Sequence, residues 1–265
     1  MATTLFSPKQ IAQALGVSES SVKRWVDTGR LPAAKTAGGH RKVSLPSVSD
    51  FVRKSGHKLV QPHLLGLAAA PPRATLERSQ DPLYASLIDG REEECRALVL
   101  GLYQRGESVV ELGDRLIGPV FRRVGDGWES GTIGVHQERR CCEVMMATLH
   151  ELRRLLPTPP DDGPLAVTAT PHGDFAEVPI RLVELTLVAA GWQVVPAGSG
   201  LPLAEIAAAT VRVRPQRVCV SATHLPDPGG FVPAYRTELV EPTRGALEPG
   251  VLLHALGGNA LAHAD

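Results

Sequence analysis

Along the first sixty positions, apolar residues recur at helical spacing in short bursts. Ile11, Ala12 and Leu15 form one face behind Ser7-Pro8-Lys9-Gln10, where Ser supplies a cap, Pro a first-turn residue and Gln the partner of a capping box. Gly16-Val17 makes a tight turn. Ser18 then opens a second helix that reaches about Thr28, with Val22, Trp25 and Val26 inward and Ser20, Ser21, Lys23 and Arg24 outward. Gly29-Arg30-Leu31-Pro32 ends it, Thr36 to Val43 reads as a β-hairpin with a Gly38-Gly39 tip, and Leu45 to Ser55 as a third helix. Two short helices about a Gly turn, followed by a hairpin with a basic flank, predict a winged helix-turn-helix over residues 1–60.

Residues 61–80 read as a linker, because Gln61 to Arg73 is rich in Pro and Ala and keeps no period. From 81 to 156 the helical period returns, with breaks at Asp89-Gly90, Gly106-Glu107 and Gly125-Asp126-Gly127 that divide it into a four-helix bundle. The last helix, beginning near Thr132, places Val135, Glu138, Cys142, Met145, Leu149, Leu152 and Leu156 on one stripe. Glu138 is the charged member of that apolar stripe. It is either bonded to Arg139, Arg140 or a neighbouring helix, or it faces a ligand cavity.

Pro157 to Pro164 is a second joint, and residues 164–265 alternate short apolar runs with amphipathic ones. The runs at 165–169, 192–196, 217–222 and 251–256 predict strands. Helices are expected at 177–190, 203–211 and 231–239, which makes a multidomain chain ending in a flavodoxin-like, Rossmann-type α/β domain with a parallel sheet. Ligands of such sheets bind beyond the carboxyl ends of the strands, here His172 to Asp174, Ser221 to His224, and Gly257-Gly258.

Charge sharpens this picture. Ten Lys and Arg stand against three Asp and Glu up to Val60, so this segment carries +7 and the remainder −7, since the total is zero. A basic head on an acidic body points one end at a polyanion, and the candidate contacts to double-stranded DNA are Ser20, Ser21, Lys23, Arg24, Lys35, His40, Arg41 and Lys42. There is no run of eighteen apolar residues and no secretory leader, so a cytoplasmic protein without a membrane partner is expected. Cys95, Cys141, Cys142 and Cys219 show no metal-binding or disulfide spacing. No nucleophile–base pairing or phosphate loop is present either, so enzymatic activity is not expected.

The segment VSESSVKRWVDTGRLPAAKTAGGHRKVSL resembles the winged DNA-binding domain of the MerR family and its excisionase-like relatives. Trp128, followed after nine residues by Glu138, resembles the bundle motif of the cobalamin-dependent photoreceptor repressors within that family. The resemblance implies that Trp128 and Glu138 cap the upper face of a corrin, with Arg139 in the place of the family's His and His136 nearby. It also implies loops around the nucleotide tail at Ser221 and Gly257-Gly258. The family's Asp-x-His-x-x-Gly loop falls on Asp174, where Ala176 replaces the cobalt-ligating His and Pro179 the Gly.

An alanine has no lone pair for a metal. The sensor is therefore expected to hold a tetrapyrrole in some other way (cobalamin, haem or a bilin), with His136, His172 or His224 as metal ligands if the macrocycle is metallated, or to hold nothing. The resemblance further implies repression and a response to light; a single winged segment makes few base contacts, so assembly into a dimer or tetramer is expected, and a sensor without a ligand would offer its surface to a protein antirepressor. Two alternatives stand beside this reading: a ligand-free regulator whose sensor is a protein–protein module, and a corrinoid methyl-transfer protein.

Overall fold

The computed structural model describes residues 4–35, 38–67, 74–246 and 253–257. The chain forms two compact units, Met1–Pro157 and Thr158–Asp265.

The first unit opens with β1 (Leu5–Phe6), α1 (Pro8–Leu15) and α2 (Glu19–Asp27), then the hairpin β2 (Ala34–Lys35) and β3 (Arg41–Ser44), then α3 (Leu45–Ser55). Ser7 and Gln10 close the expected capping box, and Gly16 at φ 66° turns the chain between α1 and α2. Ser18 caps α2 by accepting from the Ser21 N–H. Ile11, Leu15, Val22, Leu31 and Val43 are fully or almost fully buried. Trp25 packs its ring 4.7 Å from Phe51 and edge-on to His57 at 5.0 Å. The wing pairs Ala34 with Lys42 and Lys35 with Arg41, while Thr36 and Ala37 of the expected hairpin lie outside the described residues. Sequence periodicity misses β1, because two residues carry no period, yet it completes a three-stranded sheet by pairing Leu5 with Ser44 and Phe6 with Val43.

The segment expected to be a linker starts out docked. The Val60 and Gln61 N–H groups both donate to the Ala14 carbonyl at 2.8 and 3.0 Å, and a 3-10 turn at Pro62–Leu65 buries Leu65 and Leu67. Beyond it come α4 (Gln80–Asp89), α5 (Glu92–Gln104), α6 (Val109–Leu112), a π turn at Gly113–Ile117, α7 (Gly118–Glu129) and α8 (Val135–Leu155). The stretch from α6 through α7 is one continuous helix. Pro119 has no N–H to give the Arg115 carbonyl. The π turn accommodates this: the Gly118 N–H bonds the Gly113 carbonyl, and Arg115 O accepts from Gln80 Nε2 at 2.7 Å.

Two sequence expectations fail in the bundle. The break expected at Gly125-Asp126-Gly127 is absent, and helix runs on to Glu129. The glycine has a packing role instead, since a Cβ on Gly127 would lie 2.5 Å from Ile133 Cδ1, where the α7–α8 loop folds back. The stripe on α8 is also shifted. Its buried residues are Cys141, Val144, Met145, Thr148, Leu149, Leu152 and Leu155, whereas Val135 is 59 % exposed. At 100° per residue, Val135 therefore lies on the flank of the buried face and not at its centre.

In the second unit a four-stranded parallel sheet runs in the order β5 (Gln193–Leu201), β4 (Leu165–Pro171), β6 (Arg217–Ser221), β7 (Leu253–Gly257). One face carries α9 (Glu177–Ala189), which buries Leu187 on Ala166 and Cys219. The other carries α10 (Leu203–Val213) and a helix built from α11 (Pro228–Ala234), a π turn at Tyr235–Val240 and α12 (Glu241–Ala246). Ile206, Tyr235 and Leu239 pack there on Val218 and Val220. The expected strand ending at Pro196 continues to Leu201, because β5 is an edge strand and tolerates the proline with shifts of register. Growth of the sheet reverses direction at β4, so the crevice at the carboxyl ends of β4 and β6 is the topological switch point. Gly258 lies outside the described residues.

Candidate functional site

Three features hold the residues singled out from sequence. The first is a basic groove on the winged segment, of about 670 Å³. The start of α1 contributes Lys9, α2 contributes Glu19 and Lys23, and the wing contributes Lys35, His40, Arg41 and Lys42. Lys23 pairs with Glu19 at 2.8 Å, and Arg41 pairs with Asp27 across to α2, which ties the wing to the helix. Arg24 is exposed and, among the described residues, unpaired. The Ser20 and Ser21 hydroxyls both turn back to Ser18 Oγ at 2.8 and 2.9 Å. Lys9 and Glu19 were not among the sequence candidates; only the folded wing brings them beside Lys35 and Lys42.

The second feature is an apolar ledge on the bundle. Ile133 N and Thr132 Oγ1 donate to the Gly127 carbonyl at 2.9 and 3.0 Å, which brings the end of α7 beside the start of α8. Trp128, in the last turn of α7, is 48 % exposed, and Val135 and His136, in the first turn of α8, are exposed as well. Glu138 is 25 % exposed, accepts from the Cys142 thiol at 3.2 Å and pairs with Arg139 at 3.5 Å. Burial, reinforced by the hydrogen bond and charge of Glu138, pushes the Cys142 thiol up to about 12, so it remains protonated and donating at neutral pH. Of the partners the sequence offered, Arg139 is taken, whereas Arg140 donates to the Ile88 carbonyl; Cys142, one turn on from Glu138, was not foreseen.

The third is the switch-point crevice, and here hydrogen bonds cross the gap. Asp174 is fully buried. Its Oδ1 accepts from the Ala176 N–H at 2.9 Å and its Oδ2 from the Thr223 N–H at 2.5 Å, which bridges the loops after β4 and β6. Gly173, at φ 83°, lies so close to Pro226 that a Cβ would meet its Cγ at 2.7 Å. Ser221 is buried at the end of β6 and pairs with Gly257, whose carbonyl accepts from Ala222 N at 2.7 Å. His172 and His224 are exposed. Among the described residues, no group of three or more His, Cys, Asp or Glu is arranged to hold a metal ion.

These residues do not fit a cobalt ligated from below by this loop. Position 176 offers no donor atom, and the carboxylate beside it is spent on backbone N–H groups.

The architecture is thus a winged helix-turn-helix joined to a helical bundle and followed by a parallel α/β sheet. Residues 5–56 match the family model described as a helix-turn-helix domain, and residues 79–153 match the B12 binding domain. The chain is 25% identical over 233 residues to the HTH-type transcriptional repressor CarA of Myxococcus xanthus, a match spanning 84% of this chain and 78% of that one. Its fold is similar to that of the Methanosarcina barkeri monomethylamine corrinoid protein. The TM-score is 0.57 at 18% identity, over 72% of this chain and 92% of the other. Among the described residues, no helix is long and apolar enough to cross a membrane.

Proposed function

We propose that this chain is a DNA-binding transcriptional regulator, acting in the cytoplasm as a repressor and without enzymatic activity. The observation that carries the reading is the groove in which α1, α2 and the wing converge Lys9, Lys23, Lys35, His40, Arg41 and Lys42. Cations from three elements on one concave surface match a phosphate backbone, with α2 directed into the major groove. A single winged segment makes few base contacts, so the regulator binds its operator as a symmetric dimer or tetramer. Similarity to a repressor spanning most of both chains supports the same reading.

The sensor in this proposal is the bundle. Its Trp128–Val135–Glu138 ledge takes a flat, largely apolar ligand, a tetrapyrrole, and light or ligand alters assembly and DNA binding. On the bundle the exposed imidazole offered to a metallated macrocycle is His136, while His172 and His224 are the exposed imidazoles of the sheet unit's own crevice. The hydrogen-bonded crevice at Asp174 favours a second reading, in which the sheet unit holds no cofactor tail and serves as a docking module for a protein antirepressor.

Two measurements test this. All six lysines lie between Lys9 and Lys58, so an amine-reactive label protected by duplex DNA reports on the winged segment alone. Lysines labelled equally with and without DNA remove the DNA-binding reading. Absorbance spectra of the full chain with adenosylcobalamin, haem or biliverdin, in the dark and after illumination, test the ledge. A retained, shifted chromophore supports the sensor, and none under any condition leaves the protein-docking reading.

A further inference from the structure

Among the described residues, one carboxylate lines the basic groove, that of Glu19 on the first turn of α2. Within a polyanion-binding surface an acid weakens binding to phosphate. Its structural return is modest: a first-turn acid favours the helix dipole, and an exposed i,i+4 pair adds little. Glu19 is nonetheless held in place by Lys23 at 2.8 Å, with both side chains about half exposed. The pair therefore presents a hydrogen-bond acceptor and a donor side by side, on the turn of the helix that meets base edges in this motif.

Two base pairs offer that pattern a donor beside an acceptor, and C·G suits it better. In the major groove a carboxylate needs a donor, which only cytosine N4 and adenine N6 provide, but adenine N6 lies between two acceptors, its own N7 and thymine O4, and both repel a carboxylate. A C·G pair places the cytosine amine next to guanine O6 and N7, so the carboxylate meets the donor while the neighbouring ammonium meets the acceptors. Resting on the DNA-binding reading above, we infer that Glu19 and Lys23 act as a unit that reads one C·G pair in each half-site. Ser20 and Ser21, whose hydroxyls are engaged with Ser18, serve the cap instead.

The experiment is selection of binding sites from randomised duplex DNA with the full-length chain, its Glu19→Gln variant and its Lys23→Met variant. Folding of each variant is checked through the buried Trp25. The wild type selects C·G at one position per half-site, and replacing it there with T·A weakens binding roughly ten- to hundred-fold. Glu19→Gln moves the preference at that position alone to A·T, because a glutamine amide pairs with adenine N6 and N7. Lys23→Met relaxes the same position. An unchanged consensus in Glu19→Gln, with uniformly tighter binding to every sequence, overturns the inference while leaving the DNA-binding reading intact. A wild-type chain that captures no duplex overturns both.

Discussion

Replacing Arg53 by alanine removes the clasp between the winged segment and the bundle. Arg53, near the end of α3, lays its guanidinium 3.9 Å above the Tyr103 ring. It donates to the carbonyls of Tyr103, Glu107 (2.8 Å) and Gly106 (3.3 Å) just where α5 ends. The Tyr103 carbonyl shares its acceptor capacity between this side chain and the Gly106 N–H at 3.1 Å, and Gly106 and Glu107 lie just past the helix end, so a cation there complements the helix dipole. Hydrogen bonds from a charged group contribute about 1.5–3 kcal/mol each when dry, and less here because the side chain is partly exposed. The cation–π contact adds about 0.5–1 kcal/mol. A total of roughly 2–4 kcal/mol should therefore be lost in Arg53→Ala, and roughly half of that in Arg53→Lys, which keeps a point charge but not the planar fork.

Trp25 reports the winged core and Trp128 the bundle, so urea unfolding of full-length variants that each retain one of them resolves where the loss falls. With Arg53 present the two probes share one midpoint. With alanine, the Trp25 transition should move to lower urea and separate from that of Trp128. Equal shifts at both probes, or no shift, would refute the idea that Arg53 holds the two segments together.

Four further outcomes are expected. Gly118→Ala, which ordinarily stabilises a helix, should cost about 1–3 kcal/mol by thermal denaturation, because the new Cβ would lie 2.9 Å from the Gly113 carbonyl. Asp174→Ala should destabilise the second unit by about 2–4 kcal/mol, followed by Trp192 fluorescence, since it leaves the Ala176 and Thr223 N–H groups unpaired. His254 bonds Tyr235 and Thr243, and burial, with the Arg244 charge second, holds its imidazole below the ordinary value of 6.5. The unfolded chain then binds a proton before the folded one does, so stability of this unit is full above 6.5 and falls as pH drops through and below it, a slope that His254→Phe should abolish in urea titrations. Lys42→Ala should weaken DNA binding about equally for all sequences and reduce the salt dependence by roughly one counterion.

The helices and the turn between α1 and α2 were legible in the winged segment because their signals are local. Ser7 and Ser18 start helices, Gly16 turns the chain, and the period places Trp25 inside, all within a few positions. The alternation of apolar runs likewise marked the sheet, and Ala176 marked a position without a side-chain metal donor, since that depends only on which atoms the side chain has.

What tertiary structure decided concerns contacts distant in sequence. Periodicity put Val135 and Glu138 on the buried stripe, but the face that the bundle covers is rotated toward Cys141, Val144 and Thr148, which leaves Val135 exposed and Glu138 at its edge. Glycines at 125 and 127 looked like a break, although α7 continues past them and Ile133 needs the space that Gly127 leaves. Arg53 looked like any surface charge, for its partners lie some fifty positions away. Asp174 stood in a loop that the sequence only aligned with a family's ligand loop, and the folded crevice revealed that its carboxylate is hydrogen-bonded to Thr223, forty-nine residues on. A sequence determines local conformation through short-range sterics and capping; which polar groups find one another across the chain is settled by packing.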